Sequence, residues 1–207
     1  PTTGKVTFTP NKDFAGTPVP ATVEAKDANG TPATAKYTPT VKGVTPTATP
    51  SETVDIQGAE QSKEVTFTAG KATVNGEEVE VPMDNNEYKL LGEDAQPAES
   101  VPAKNPAGEV IGTYTLKVVD GKPTAVFTPT NKLYSGEVKP VTIQGKDTNG
   151  TAVTTTYTPR ITPVTPTGTP AETTGIQGKE QEGTPTFKPG NPNVPIDEEV
   201  VPTLEGA

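Results

Sequence analysis

Small apolar and aromatic residues recur at every second position in several short stretches of this chain. In ATVEAKDANGTPATAKYT, Ala21, Val23 and Ala25 alternate with polar neighbours, and Ala33, Ala35 and Tyr37 do the same beyond Asn29-Gly30. A period of two is the signature of a half-buried strand, and Asn-Gly between two such runs predicts a hairpin closed by a type I′ turn. The pattern returns further on, with Val141 and Ile143 before Asn149-Gly150 and Val153 and Tyr157 after it. A third hairpin is predicted in YTLKVVDGKPTAVFTP, where Tyr114, Leu116 and Val118 face Ala125 and Phe127 around Asp120-Gly121. No stretch has a helical period with caps, so the predicted class is all-β.

These stretches belong to an internal repeat. VTPTATPSETVDIQG (44–58) returns as VTPTGTPAETTGIQG (164–178), an offset of 120 residues. The same offset aligns AGTPVPATVEAKDANGT (15–31) with SGEVKPVTIQGKDTNGT (135–151), and YTPTV (37–41) with YTPRI (157–161). It also pairs VTFTAG (65–70) with PTFKPG (185–190). Beyond that AGKATVNGEEVEVPMD faces the shorter PGNPNVPID, which places a seven-residue insertion near residues 71–80 and predicts a loop at a hairpin tip there. Self-similarity at a fixed period is the mark of a repeat architecture. Proline fixes φ and has no N–H, so VTPTATP reads as a short semi-rigid connector that stays out of central sheets.

Composition narrows the picture. The hydrophobic set is 30% of the 207 residues and aromatics 5%, while 24 Pro and 20 Gly lie well above their usual share of about 12% together. The modules are therefore expected to be thin β-sandwich-like units rather than one thick core. With no Cys and no His, disulfides and the usual zinc, thiolate and imidazole chemistries are excluded. A formal charge of −9 argues against nucleic acid and anionic membrane as partners. No apolar run approaches the roughly 20 residues that span a bilayer. The chain opens on PTTGKV without Met and reads as an excerpt, with any targeting segment outside it.

Two motifs bear on chemistry. In KDANGT and KDTNGT, Asp27 and Asn29 present oxygens two residues apart ahead of Gly30, as a calcium loop does, but the third oxygen ligand and the downstream bidentate Glu are missing. The residues favour a turn, and the NGT sequon they contain reads as the same turn chemistry. IQGxEQ, at Ile56–Gln61 and Ile176–Gln181, could supply Gln to an ester crosslink with Thr. The residues favour a turn at Gly58 and Gly178, with Gln satisfying backbone groups near a domain junction. Glu77-Glu78 and Glu198-Glu199 read as solvated loop charges. No catalytic, cofactor-binding or metal-binding residues are assigned, and no cofactor is expected.

The ordered set TPTATPSETVDIQGAEQSKEVTFTAG, VPMD, GTYTLKVVDGKPTAVFTP and VTIQGKDTNGT…YTP resembles the CshA-type fibril repeat of streptococcal and related Gram-positive surface adhesins. The resemblance covers essentially the whole chain, apart from the insertion around Asn75-Gly76 and the irregular AQPAESVPAKNPAGE. It implies a long, extracellular, cell-wall-anchored protein in which an adhesive region is carried on stacked repeats. The implied role is a structural stalk, with neighbouring repeats as partners and a host matrix protein engaged through other regions. The alternative is a module that itself binds a host matrix protein or glycan. With the connector as boundary, residues 44–163 form one complete repeat, 1–43 the tail of a preceding one and 164–207 the head of a following one. A second phase, two copies at 1–94 and 120–207 joined by 95–119, also fits the offset. The first keeps the hairpin around Asp120-Gly121 inside one module.

Overall fold

The computed structural model describes residues 4–199 and 202–204. In chain order the strands are β1 (Ala21–Lys26), β2 (Pro32–Tyr37), β3 (Thr47–Thr49), β4 (Ser51–Ile56), β5 (Gln61–Glu64) and β6 (Thr66–Thr68). Next come β7 (Gly70–Val74), β8 (Glu77–Val81), β9 (Lys89–Leu91), β10 (Pro97–Ala98), β11 (Ser100–Lys104), β12 (Val110–Val119) and β13 (Lys122–Pro129). The last are β14 (Gly136–Glu137), β15 (Val141–Lys146), β16 (Ala152–Thr162), β17 (Thr167–Thr169) and β18 (Thr186–Lys188). No helix occurs among the described residues, and the protein is all-β and sandwich-like. The chain divides into two compact units, one of Pro1–Thr49, Thr66–Tyr88 and Gln144–Thr155, the other of Pro50–Val65, Lys89–Ile143 and Thr156–Ala207.

The second unit carries most of the core. Its antiparallel sheet β11-β12-β13-β5 is built around the predicted hairpin, with Tyr114 opposite Phe127, Leu116 opposite Ala125 and Val118 opposite Pro123. Asp120 and Gly121 both have positive φ, 51° and 76°, as a type I′ turn demands. The other sheet has the order β10-β9-β15-β16-β14, and β4 runs parallel to β16. Ile161 pairs with Gly136 of β14 and with Asp55 of β4, so these two strands lie on opposite edges of β16.

Tyr114 joins the layers. Its ring centroid lies 5.8 Å from that of Phe127 beside it and 6.1 Å, at 80°, from that of Tyr157 on β16. Its hydroxyl donates to Lys139 O at 2.7 Å, so the polar end of the buried ring is satisfied. Burial pushes the Tyr114 phenol far above its usual range, with the neighbouring Tyr157 adding to the shift. Among the described residues, the buried members of the hydrophobic set all lie between Val65 and Ile161. Each fully buried large side chain contributes about 1.5–3 kcal/mol.

In the first unit, β1 and β2 form a two-stranded sheet in the predicted register, from Ala21 opposite Tyr37 to Lys26 opposite Pro32. Its alternation does not translate into burial. Val23 and Tyr37 are half-buried and the four alanines exposed, whereas the counterparts Val141, Ile143 and Tyr157 are 2%, 0% and 0% exposed. In the later copy Tyr157 meets Tyr114 of the other sheet, and the earlier copy forms a sheet of two strands alone.

One further expectation is corrected, and that of an extended connector outside the larger sheets is refined. The insertion is not a plain loop: β7 and β8 form a hairpin of their own, turned at Asn75 and Gly76 with φ of 53° and 86°. Glu77 and Glu78 are accordingly strand residues, although solvated as expected, and Lys71 reaches Glu78 at 2.9 Å across the pair. The connector also holds a strand. Thr47–Thr49 pairs with Thr66–Thr68, and 120 residues later Thr167–Thr169 pairs with Thr186–Lys188. Prolines at 46 and 50 confine the first ladder to these three residues.

Gly112 gives the core its sharpest steric requirement. A Cβ there would lie 2.5 Å from Phe127 Cε2 and 2.7 Å from Thr128 O. Gly112→Ala should destabilise the chain by about 1–3 kcal/mol, the cost of forcing atoms into a filled core. Circular-dichroism melting checks this, and an unchanged Tm would mean that the sheet is not packed as described.

Candidate functional site

The two KDxNG segments close hairpins and bind their own backbone. Asp27 Oδ1 accepts the N–H groups of Asn29 (2.8 Å) and Thr31 (2.9 Å), and Asp147 Oδ1 accepts those of Asn149 (2.9 Å) and Thr151 (2.8 Å). Gly30 and Gly150 have φ of 83° and 88°, but neither Asn has positive φ, so these are not the expected type I′ turns. Each is a three-residue loop with Gly in the left-handed position of a bulge, because the Asp side chain caps the turn from within. No group of three or more metal-capable side chains exists among the described residues.

IQGAEQ is where the chain changes sheets. β4 runs along β16 as far as Ile56, opposite Thr162, and β5 begins at Gln61 on the other sheet, opposite Phe127. Between them Gly58 adopts φ 76° and Ala59 N–H donates to Ile56 O at 3.2 Å. Both glutamines are buried at this corner, Gln57 at 8% exposure and Gln61 at 3%.

Gln57 draws separate segments together. Its Nε2 donates to Leu133 O at 2.6 Å, and its Oε1 accepts the N–H of Val164 at 2.9 Å. Its own N–H donates to Thr162 O at 3.0 Å, and its carbonyl accepts Asn191 Nδ2 at 3.4 Å. A Cβ on Gly58 would lie 2.7 Å from Asn193 Cβ, so glycine is required for this approach. Lys132 Nζ donates to Asn193 Oδ1 at 3.2 Å from the other side. Gln61 Nε2 donates to Arg160 O at 3.0 Å. Thr53 and Tyr157 share a hydrogen bond of 2.8 Å beside the corner, which partly opposes the upward shift that burial gives the Tyr157 phenol.

The second occurrence has the same turn without the surroundings. Ile176–Gln181 is exposed throughout, Gly178 has φ 77°, and Lys179 N–H donates to Ile176 O at 3.1 Å. Gln181 Oε1 accepts Thr173 Oγ1 at 3.0 Å in the open. Asp147 is the one buried carboxylate among the described residues, and it caps its own turn. At the first corner the two glutamines tie backbone segments together. Glu198 and Glu199 are exposed, and Glu199 N–H donates to Asp197 Oδ1 at 3.0 Å.

The turn at Gly58 and the role of Gln toward backbone groups were readable in the motif, but the partners Leu133, Val164 and Asn191 were not. One unused signal pointed to them: NKDF (11–14) and NKLY (131–134) stand 120 residues apart, and Lys132 and Leu133 of the second are both at this site. Tyr134 closes that loop by donating to Glu137 O at 2.7 Å. Its phenol is raised by burial first, then by Glu137 and Glu109.

A family model described as surface adhesin CshA repetitive domain matches residues 1–41, 43–161 and 163–207. Comparison with curated proteins and with solved structures gives no match.

Removing the Gln57 side chain, itself buried, takes away two part-buried hydrogen bonds, those to Leu133 O and from Val164 N–H. Gln57→Ala should destabilise by about 1–3 kcal/mol, as expected for two lost hydrogen bonds. Gln177→Ala, at the same motif position but exposed, should leave the chain unaffected. Thermal denaturation of the two variants side by side checks this, and equal effects would contradict the difference in environment.

Proposed function

The chain belongs to the surface adhesin CshA repetitive-domain family, and from that premise we propose that it is a structural stalk segment, in which each repeat is a spacer that extends an adhesive region away from the cell. The surface location follows from the family. Anchorage in a Gram-positive cell wall, and engagement of a host matrix protein by regions outside this segment, are parts of the proposal. On this reading residues 44–163 are one full repeat, between the tail (1–43) of one neighbour and the head (164–207) of another.

The observation that carries it is the recurrence of one connector arrangement. A Cβ on Gly70 would lie 2.8 Å from the Thr45 backbone, and one on Gly190 would lie 2.5 Å from that of Thr165. At both places a Thr/Pro connector is seated on a glycine, and a short ladder follows it, β3 with β6 and β17 with β18. A chain that repeats the same joint at a fixed interval gains reach with every copy, as repeat proteins do. The breaks between the family matches and the confinement of buried apolar side chains to residues 65–161 support the same boundaries. Tyr88, Tyr114, Phe127 and Tyr157 are buried, and of the ten aromatic residues two, Phe8 and Phe187, are exposed, which leaves little aromatic surface for the alternative, a repeat that itself grips a glycan.

Small-angle scattering from fragments of one, two, three and four repeats tests the stalk. Its maximum dimension should grow linearly with repeat number; compaction on adding repeats would sink the proposal.

A further inference from the structure

The two copies differ most between the glycine that seats the connector and the Val-Pro-x-Asp motif. Residues 71–80 fill this interval in one copy and residues 191–193 in the other. In the first, β7 and β8 set Ala72 opposite Val79 and Gly70 opposite Val81, so one side of the hairpin is apolar up to Glu77, opposite Val74; Ala72 and Val81 are half-buried, Val74 and Val79 39% and 50% exposed. Ala72, Val74, Val79 and Val81 line a groove of about 360 Å³ whose remaining wall is residues 10–15, 41–44, Asn149 and Thr151. Phe14, Val41 and Val44 are half-buried there, and Lys42 Nζ donates to Thr73 O at 2.8 Å. In the second copy the interval is only a tight turn, bridged between Asn191 and Val194. It too meets residues that precede its connector, through Asn191 Nδ2 to Gln57 O and Lys132 Nζ to Asn193 Oδ1.

In both copies, then, the same interval reaches back across the connector, with a valine-rich hairpin in one case and a three-residue polar turn in the other. We propose that this interval is a clasp between consecutive repeats, and that its length sets how firmly a repeat holds the one before it. The proposal rests on the repeat boundaries of the stalk reading. The long clasp adds apolar burial to a lysine-to-carbonyl bond, and the short one offers polar contacts alone. Joint stiffness is thereby written into the sequence joint by joint, and the seven-residue length difference marks a stiffer joint at 43/44 than at 163/164.

The chain has no cysteine, so introduced pairs give unique spin labels. Ala33→Cys with Thr154→Cys spans the first joint inside the first unit, and Lys117→Cys with Lys179→Cys the second inside the other; all four positions are exposed. Pulsed electron–electron distance measurements on the full chain should give a single narrow distribution for the first pair and a broader one for the second. Replacing residues 69–84 by the sequence of 189–197 should abolish the narrow peak. So should Val79→Lys combined with Lys42→Ala, at half-exposed and exposed positions where folding is not at stake, with melting curves as the control. An unchanged first distribution in the double variant, or equally narrow distributions at both joints, overturns the clasp. The stalk reading fails separately, through a maximum dimension that does not grow with repeat number whatever these widths are.

Discussion

The packing of Tyr114 between two sheets is the contact on which the rest depends. A chain this poor in large apolar residues cannot assemble a thick core, and it concentrates burial where aromatic rings from both layers meet. Tyr114, Phe127 and Tyr157 form that meeting point, and the hydrogen bond from Tyr114 to Lys139 O removes the cost of burying a hydroxyl. Gly112 sits on the same strand because nothing larger fits against the Phe127 ring. β4 and β5 are consecutive yet lie in different sheets, and at the crossing the buried amides of Gln57 and Gln61 satisfy the carbonyls of Leu133 and Arg160 on the segments beside it.

The hairpin from Tyr114 to Phe127 was legible in full, including its register, because alternation and an Asp-Gly turn are local signals. The burial of β1 and β2 was not, because ATVEAK and VTIQGK alternate alike while only the second faces a partner sheet. Burial is decided by what lies across the core, often at a distance of many residues in sequence. The turn type at Asn29-Gly30 departs from the dipeptide's preference for a nearer reason. Asp27, two residues upstream, supplies the acceptor that fixes a three-residue loop and overrides the dipeptide preference. At 71–80 the length difference between the copies indicates no more than a loop, while Asn75-Gly76 carries the two-residue turn signal of the hairpin found there.

For the candidate site, the motif indicated the turn and the role of glutamine, while its meaning came from partners 76 and 107 residues away. A repeated sequence thus does not guarantee a repeated environment: Gln57 is buried and Gln177 exposed in the same phrase. The difference lies in the partners: Leu133, Val164 and Asn191 meet Gln57, and no such segments meet Gln177 among the described residues.

On the proposed boundaries one copy of the repeat, residues 44–163, contains the buried apolar side chains of the described residues. Hydrogen exchange followed by mass spectrometry decides whether this copy is the cooperative core, because protection reports local opening free energy. Slow exchange is expected in β12, β13, β15 and β16, and fast exchange in β1, β2 and residues 164–199. Protection of β1 and β2 equal to that of β15 and β16 would contradict it.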